Sequence, residues 1–198
     1  MYQQYLPLAA PALLRSPFDH PNFVYELKQD GFRSLAYIDP CGCLLISRKG
    51  HVYRGFVPLA RALAELGRPM VLDGEIVTLD AEGRSRFYDL LYHRGQPVFY
   101  AFDCLSCDGR DLRGEPLANR KRILKAAVKD SPGILFAQHF AGRGQDLFSA
   151  VCEHDLEGVV AKRTDGTYGQ DWFKIRNPRY SQYEGRRELF EKRKGRTL

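Results

Sequence analysis

Alternating apolar and polar positions recur along the chain in short segments that are rich in β-branched and aromatic residues. Successive side chains of a strand point to opposite faces, so this pattern favours β-strands. It predicts strands over residues 24–29, 34–38, 43–47, 70–79, 98–105, 134–139, 158–163 and 172–176. β-Structure therefore dominates the predicted elements.

Helical patterns lie mainly between the later strands. Apolar residues at helical spacing predict helices over residues 57–66, 145–154 and, with fewer apolar positions, 181–194. Asn119 is suited to cap a further helix that carries Ile123, Leu124 and Val128 on one face. Turns join the early strands and helices separate the later ones. This arrangement favours an α+β fold with antiparallel sheets over a doubly wound sheet.

The net positive charge of the chain is concentrated at its C-terminal end. The 198 residues include 30 Lys and Arg against 24 Asp and Glu, a net charge of +6. Residues 174–198 hold nine basic and three acidic side chains, so residues 1–173 are balanced at 21 against 21. A neutral body argues against electrostatic nucleic-acid binding over the whole surface. The length fits one domain followed by a basic tail.

Composition also restricts the class of protein. With 44% hydrophobic and 12% aromatic residues, the chain can form a packed core. No apolar run approaches the roughly 20 residues of a membrane-spanning helix, and the first residues lack the basic region of a secretory signal. Five cysteines, an odd number, fit a reducing compartment. We therefore expect a cytoplasmic protein without a membrane partner.

Two cysteine pairs raise the question of a zinc site. Cys41 and Cys43 form a Cys-x-Cys pair, and Cys104 and Cys107 form a Cys-x-x-Cys pair. A structural zinc site needs two pairs of compatible spacing that close a tetrahedron. The apolar residues around the first pair favour small buried side chains instead.

One segment places a lysine between two carboxylates. Strand alternation puts Glu26, Lys28 and Asp30 on one face, and Gly31 then permits a sharp turn. Taken alone, this triplet is well explained as a salt-bridged surface feature.

Further segments also place charged side chains on predicted strands. Asp73 and Glu75 flank a glycine in an apolar strand, and Glu157 and Lys162 lie at the start and within another strand. A last strand carries the cations Lys174 and Arg176 on one face. Together these residues can bind a nucleoside triphosphate with Mg²⁺. The chain has neither a Walker motif nor a GxGxxG motif, so a P-loop or Rossmann site is excluded.

Six segments in this order resemble the motifs of the covalent nucleotidyltransferases, which include ATP-dependent DNA ligases, RNA ligases and mRNA capping enzymes. They are Lys-x-Asp-Gly-x-Arg at 28–33, Ser-Arg-x-Gly at 47–50, and the segments 73–75, 99–103, 157–162 and 172–176. The likeness spans about residues 12–180, and its context is most similar to the ligase module of bacterial end-joining ligases. GTP-using capping enzymes fit less well.

The resemblance implies the ATP-grasp-like nucleotidyltransferase fold of DNA ligases. Antiparallel sheets flanked by helices would hold the nucleotide pocket between them. Residues 1–178 would form the adenylation domain, and residues 179–198 a basic C-terminal helix or tail.

The resemblance also implies a role for each motif residue. Lys28 would attack the α-phosphorus of ATP to form lysyl-AMP, which requires an amine activated by a lowered pKa. We therefore interpret Glu26 and Asp30 as ligand-binding groups rather than as ion-pair partners. Glu26 would recognise adenine and Phe102 would stack on it. Arg48, Glu75 and Arg33 would contact the ribose, or a phosphate in the case of Arg33. Glu157 with Glu75 would bind Mg²⁺, and the α-phosphate would be bound by Lys162, Lys174 and Arg176.

Two departures from the family pattern matter. Arg176 replaces the second lysine of the last motif, which keeps the charge but changes the geometry of phosphate contact. Residues 177–198 leave no room for the oligonucleotide-binding-fold domain that follows in ligases of this class.

Three functional hypotheses follow. The chain is expected to transfer AMP from lysyl-AMP to the 5′-phosphate of nicked double-stranded DNA for strand joining in repair or recombination. The alternatives are an ATP- or AMP-binding module that needs a partner protein to supply the missing domain, and an RNA ligase. The expected DNA contacts are the basic residues of the tail, Arg186, Arg187, Lys192, Arg193 and Lys194.

Overall fold

The computed structural model describes residues 5–183 and shows two β-sheets with four α-helices. The five expected DNA contacts of the tail lie outside the described residues, as does all but the first turn of the helix predicted over 181–194. Ser181–Tyr183 forms a short 3-10 helix. No helix of residues 5–183 is both long enough and apolar enough to cross a membrane.

The first sheet contains five strands in the order β1-β11-β10-β2-β9. Their bounds are Ala12–Leu14 (β1), Phe23–Leu27 (β2), His139–Ala141 (β9), Gly158–Arg163 (β10) and Trp172–Arg176 (β11). All neighbours are antiparallel except β1 and β11, which are parallel.

The second sheet has the order β4-β3-β5-β6-β7, and β8 runs parallel to β6. Its strands are Phe32–Asp39 (β3), Gly42–Ser47 (β4), Met70–Thr78 (β5), Pro97–Cys107 (β6), Arg110–Asp111 (β7) and Ile134–Phe136 (β8). The pairs along the main path are antiparallel, so the predicted α+β fold with antiparallel sheets is confirmed.

Four helices pack against the sheets. They are Val57–Ala64 (α1), Phe87–Leu91 (α2), Leu117–Ala127 (α3) and Gly144–Glu153 (α4). Helices α1 and α3 pack on the second sheet, where Leu63 and Leu124 are fully buried in the larger core. Helix α4 packs on the first sheet, and its Val151 is buried in a second core.

The sequence-based elements differ from the structure in several places. The segment 134–139, predicted as one strand, is split between β8 and β9 and so belongs to both sheets. Asn119 does not cap α3, because the helix begins two residues earlier, with Pro116 preceding it and no side-chain cap. Helix α2 is only five residues long, too short for periodicity to reveal it.

The chain passes from the first sheet to the second between β2 and β3. Since β2 ends at Leu27, Lys28 and Asp30 lie in this crossover and do not continue the face of Glu26. The crossover passes close to β5, where a Cβ atom added to Gly31 would lie 2.1 Å from the carbonyl oxygen of Ile76. Glycine at this position lets the crossover approach the second sheet.

We predict that Gly31→Ala destabilises the protein, because the added methyl group overlaps the backbone of β5. Overpacking of this kind costs about 1–3 kcal/mol, which lowers the melting temperature by roughly 2–12 °C in a chain of this size. Calorimetry measures the shift.

Gly114→Ala is the matched control, since a Cβ atom there meets nothing within 4 Å. An equal loss of melting temperature in the two variants would contradict the packing argument.

Candidate active site

A pocket of about 480 Å³, open to solvent, lies between the two sheets. Six residues expected from the sequence to bind nucleotide line it together: Glu26, Lys28, Arg33, Glu75, Phe102 and Lys162. Pro11, Gln29, Tyr100, Val160 and Trp172 also contribute to its walls, and these were not expected from the sequence.

Strand register explains why these side chains meet. In the first sheet, Glu26 is opposite Val160, and Val160 is opposite Lys174, so the three form a row across the sheet. In the second sheet, Arg33 is opposite Glu75, and Glu75 is in turn opposite Tyr100. Residues directly opposite each other in a sheet share a face. Each sheet therefore presents one row of side chains, two of them charged, to the space between the sheets.

Lys28 is held beside the start of β10. Its Nζ atom lies 2.6 Å from Oε2 of Glu157, and its backbone N–H donates to the carbonyl oxygen of Gly158 at 2.9 Å. The other carboxylate oxygen of Glu157 accepts a hydrogen bond of 3.1 Å from the hydroxyl group of Tyr183. The expected nucleophile is thus paired with the carboxylate that was expected to hold Mg²⁺.

Glu26 is buried and paired with two lysines. Lys121 of α3 donates to Oε1, and Nζ of Lys162 lies 2.6 Å from Oε2. Burial alone would raise the pKa of the Glu26 carboxyl group, but the two positive charges outweigh it and lower the pKa. The expectation that Glu26 is not an ion-pair partner is therefore wrong, because a carboxylate buried in this core requires counter-charge.

Asp30 is also buried and is not positioned toward the pocket row. Its carboxylate accepts a hydrogen bond of 3.1 Å from the hydroxyl group of Tyr180, and its N–H donates to Oγ of Ser85 at 3.3 Å. Asp30 thus ties the crossover to the chain beyond β11, and it does not line the main pocket.

Lys121 was missed by the sequence reasoning, although a signal was present. It lies four residues after Leu117 and three before Leu124, both fully buried on the inner face of α3. A lysine at such a position must find a buried acidic partner.

Arg33 and Phe102 form one wall of the pocket. Two nitrogens of the Arg33 guanidinium group bind the two oxygens of Asp73 at 2.6 and 2.7 Å, and the hydroxyl group of Tyr168 donates to the same carboxylate. The guanidinium carbon lies 4.5 Å from the centre of the Phe102 ring. The bidentate pair fixes the guanidinium group in this position.

The ammonium group of Lys162 lies between aromatic rings of the pocket wall. Its Nζ atom lies 4.3 Å from the ring centre of Phe102 and 4.4 Å from that of Trp172. Burial lowers the pKa of its ammonium group, and the pairing with Glu26 offsets this only in part. Lys162 of β10 is opposite Trp172 of β11, and Val160, two residues earlier, is opposite Lys174, so Lys162 and Lys174 share a face of the sheet.

The remaining cations gather near Lys28. The pKa of Lys174 is lowered by burial and by the positive charges of Arg176, Lys28 and Arg48, in that order. Mutual repulsion among four cations is relieved when an anion binds between them. This cluster (Lys28, Arg48, Lys174 and Arg176) fits the phosphates of a nucleotide.

The carboxylates of Glu75 and Glu157 fit a Mg²⁺ ion that is bound together with substrate phosphates. Burial raises the pKa of Glu75 to about 7; the charges of Lys28 and Arg33 oppose this rise, and those of Glu157 and Asp73 add to it. Mg²⁺ usually takes one or two protein carboxylates and completes its shell with phosphates and water. Residues 5–183 contain no group of three or more His, Cys, Asp or Glu side chains that could hold a metal alone.

The cysteines show different environments. Cys104 and Cys107 are buried on β6, Cys43 is half-buried and Cys41 is exposed. Burial raises the pKa of the Cys43 thiol to about 12 and also raises that of Cys104. Within residues 5–183, neither pair belongs to a group of three or more His, Cys, Asp or Glu side chains that could hold a metal.

Residues 12–176 match the ATP dependent DNA ligase domain family. The chain belongs to this family. The fold agrees: the ligase domain of LigD from Mycobacterium tuberculosis has a TM-score of 0.73 at 31% identity, covering 85% of this chain and 59% of that one. A mycobacterial DNA ligase D complexed with ATP and MES has a TM-score of 0.70 at 30% identity, covering 84% of this chain and 60% of that one. The nucleotidyltransferase fold implied by the motifs is confirmed.

Curated relatives share the same region. The multifunctional non-homologous end joining protein LigD of Pseudomonas aeruginosa is 36% identical over 167 residues, 78% of this chain and 20% of that protein. The SPbeta prophage-derived DNA ligase-like protein LigB of Bacillus subtilis is 28% identical over 190 residues, 87% of this chain and 69% of that protein. This chain therefore spans about a fifth of the length of its LigD relative and about two thirds of LigB.

We predict that Asp73→Asn destabilises this ligase-family domain, because it leaves the Arg33 guanidinium group without its counter-charge. Breaking a buried pair from one side costs about 3–5 kcal/mol. Arg33 retains some exposure, so we expect about 2–4 kcal/mol in urea unfolding.

Asp111→Asn provides the control, because it removes the exposed partner of Arg113. Surface pairs contribute about 0–1 kcal/mol. Equal losses in both variants would show that the Arg33–Asp73 pair is no stronger than a surface contact.

Proposed function

We propose that this chain is an ATP-dependent ligase-type nucleotidyltransferase that forms lysyl-AMP on Lys28 and passes AMP to the 5′-phosphate of nicked DNA. The observation that carries the proposal is the placement of Lys28 in the crossover between the sheets, beside a pocket with cations near its amine. Membership in the ATP-dependent DNA ligase domain family supports the same reaction class.

The chemistry at Lys28 requires one rearrangement. The Lys28 ammonium group has no lone pair for attack, so it must first separate from Glu157 and release a proton to solvent. The neutral amine then forms a bond to the α-phosphorus and loses a second proton to solvent, the bond from the α-phosphorus to the bridging β-phosphate oxygen breaks, and pyrophosphate leaves. Covalent catalysis of this kind divides strand joining into easier steps.

The other residues are assigned to different parts of the bound nucleotide. Phe102 and Glu26 contact the base, as stacking surface and hydrogen-bond acceptor. Arg48, Glu75 and Arg33 serve the ribose and the adjoining phosphate. Lys174 and Arg176 stabilise the negative charge on the α-phosphate. We assign Lys162 to the base end of the pocket, because its ammonium group is paired with Glu26.

Mg²⁺ would be held by Glu157 with Glu75 and would supply positive charge against the phosphates. Once ATP is seated, the chain's own contribution is to orient Lys28 in line with the leaving pyrophosphate.

We predict that incubation with α-labelled ATP and Mg²⁺ attaches label to the wild-type chain and that Lys28→Ala reduces it to background, because the attacking amine is lost. Autoradiography after denaturing electrophoresis measures the covalent product. Lys129→Ala, on the exposed surface beyond α3, is the control and is expected to label normally.

Wild-type protein that takes up no label would refute the proposal, as would undiminished label on Lys28→Ala. Sealing of nicked DNA by the purified chain supports the complete ligase reaction. Labelling that reaches nicked DNA only when a second protein is added supports the partner-dependent alternative. Preferential sealing of RNA-containing duplexes supports the RNA ligase alternative.

We further propose that the basic tail contacts DNA phosphates. Replacing Arg186, Arg187, Lys192, Arg193 and Lys194 with Gln is expected to weaken binding to nicked DNA while self-adenylation stays unchanged. Each lost phosphate contact lowers the slope of log affinity against log salt by about 0.9. Fluorescence anisotropy at several salt concentrations measures that slope, and an unchanged slope would place the DNA contacts elsewhere.

A further inference from the structure

We propose that Lys121 is a positioning residue that fixes Glu26 and thereby sets the preference of the pocket for adenine over 6-oxopurines. The inference rests on the proposed nucleotide-binding function and deepens it. Lys121 lies between the segments 99–103 and 157–162, outside the six motifs. It is not one of the residues that line the pocket between the sheets, so it would act only through Glu26.

The ammonium group of Lys121 is fixed by three partners. It donates to Oε1 of Glu26 and to the carbonyl oxygen of Ala137 at 3.0 Å, and it lies 4.6 Å from the ring centre of Phe136. Only 4% of Lys121 and 2% of Glu26 is exposed. Because Ala137 and Phe136 do not line the pocket between the sheets, a ligand in that pocket does not compete with Lys121 for these two partners.

The second lysine on Glu26 is in a different position. Lys162 lines the pocket, and its ammonium group lies over the Phe102 ring, as does the guanidinium group of Arg33. A base that stacks on Phe102 must share the ring with one of these cations or displace it. Arg33 is fixed by its two bonds to Asp73, so Lys162 is the cation that can move. Lys121 then remains as the counter-ion of Glu26.

The charge state of Glu26 decides which base it accepts. An ionised carboxylate is an acceptor only, whereas a protonated carboxyl group also donates. Adenine offers a 6-amino donor, and hypoxanthine and guanine offer a 6-oxo acceptor. An ionised Glu26 that faces the 6-substituent therefore accepts from the amino group of adenine and is repelled by the oxygen of a 6-oxopurine, while a protonated Glu26 can donate to that oxygen.

The other titratable neighbours of Glu26 do not replace Lys121. His139 is opposite Glu26 on β9, and burial, which remains when Lys121 is replaced, is the largest cause of its lowered pKa. Tyr100 has its pKa raised by burial and by the charge of Glu26, and it stays protonated. Without Lys121, burial favours protonation of Glu26 whenever Lys162 is displaced.

The test compares ATP and ITP on the full chain, by calorimetric binding and by the rate of self-adenylation. Lys121→Met is expected to raise the KM for ATP at least tenfold and to lower the ATP-to-ITP preference by a similar factor. The rate at saturating ATP should change less than threefold. Lys121→Arg, which keeps the charge, should restore part of the preference.

Lys125→Met is the matched control, since Lys125 is exposed one turn further along α3 and 6.0 Å from the Phe136 ring centre. It is expected to behave as wild type. A folded Lys121→Met variant with the wild-type ATP-to-ITP preference would overturn the proposal.

A second comparison applies even where the single variant does not fold. Glu26→Gln combined with Lys121→Met removes both charges of the pair, which is tolerated better than leaving one buried and unpaired. If Lys121 acts through Glu26, the double variant has the same base preference as Glu26→Gln alone. A further loss of preference in the double variant would overturn the proposal.

The two proposals fail in different ways. Wild-type protein that binds ATP but forms no lysyl-AMP would refute the proposed function, and the base-preference test would still apply to binding. Failure to bind ATP would overturn both.

Discussion

Buried carboxylates paired with cations join the two sheets, and the rest of the structure depends on that matching of charge. Glu26 of the first sheet is bonded to Lys121 of α3, a helix that packs on the second sheet. Arg120, the preceding residue, binds both oxygens of Asp103 and donates to the carbonyl oxygen of Gly166 beyond β10. Removing one partner of such a pair leaves an uncompensated charge in the core, so the pairs are strong constraints on how the sheets face each other.

The same constraint explains how the pocket can exist without collapsing. An open space between two sheets would normally fill with apolar side chains, yet its walls here carry Lys28, Arg33, Glu26 and Lys162. Each has an oppositely charged partner, and the aromatic rings of Phe102 and Trp172 cover the Lys162 ammonium group. A nucleotide would therefore exchange partners with charges that are already in place.

The sequence predicts the fold class and the motif residues of the pocket well, because strand alternation and local spacing determine both. It predicts contacts across the molecule poorly. Lys121 and Tyr183 come from α3 and from the chain beyond β11, and only tertiary packing brings them to Glu26 and Glu157. For the same reason, Glu26 was expected to be a ligand-binding group without an ion pair. The segment 134–139 alternates continuously, and nothing local shows that its two halves enter different sheets.

The hydrogen bond between Tyr183 and Glu157 has a mechanical consequence. Tyr183 belongs to the short 3-10 helix that follows the first sheet, where Ser181 is also bonded to Asp155 and Gln182 to Ser85. The carboxylate beside Lys28 is therefore positioned by this helix as well as by its own strand. A change that displaces the helix would act on Lys28 at a distance, through the orientation of its carboxylate partner.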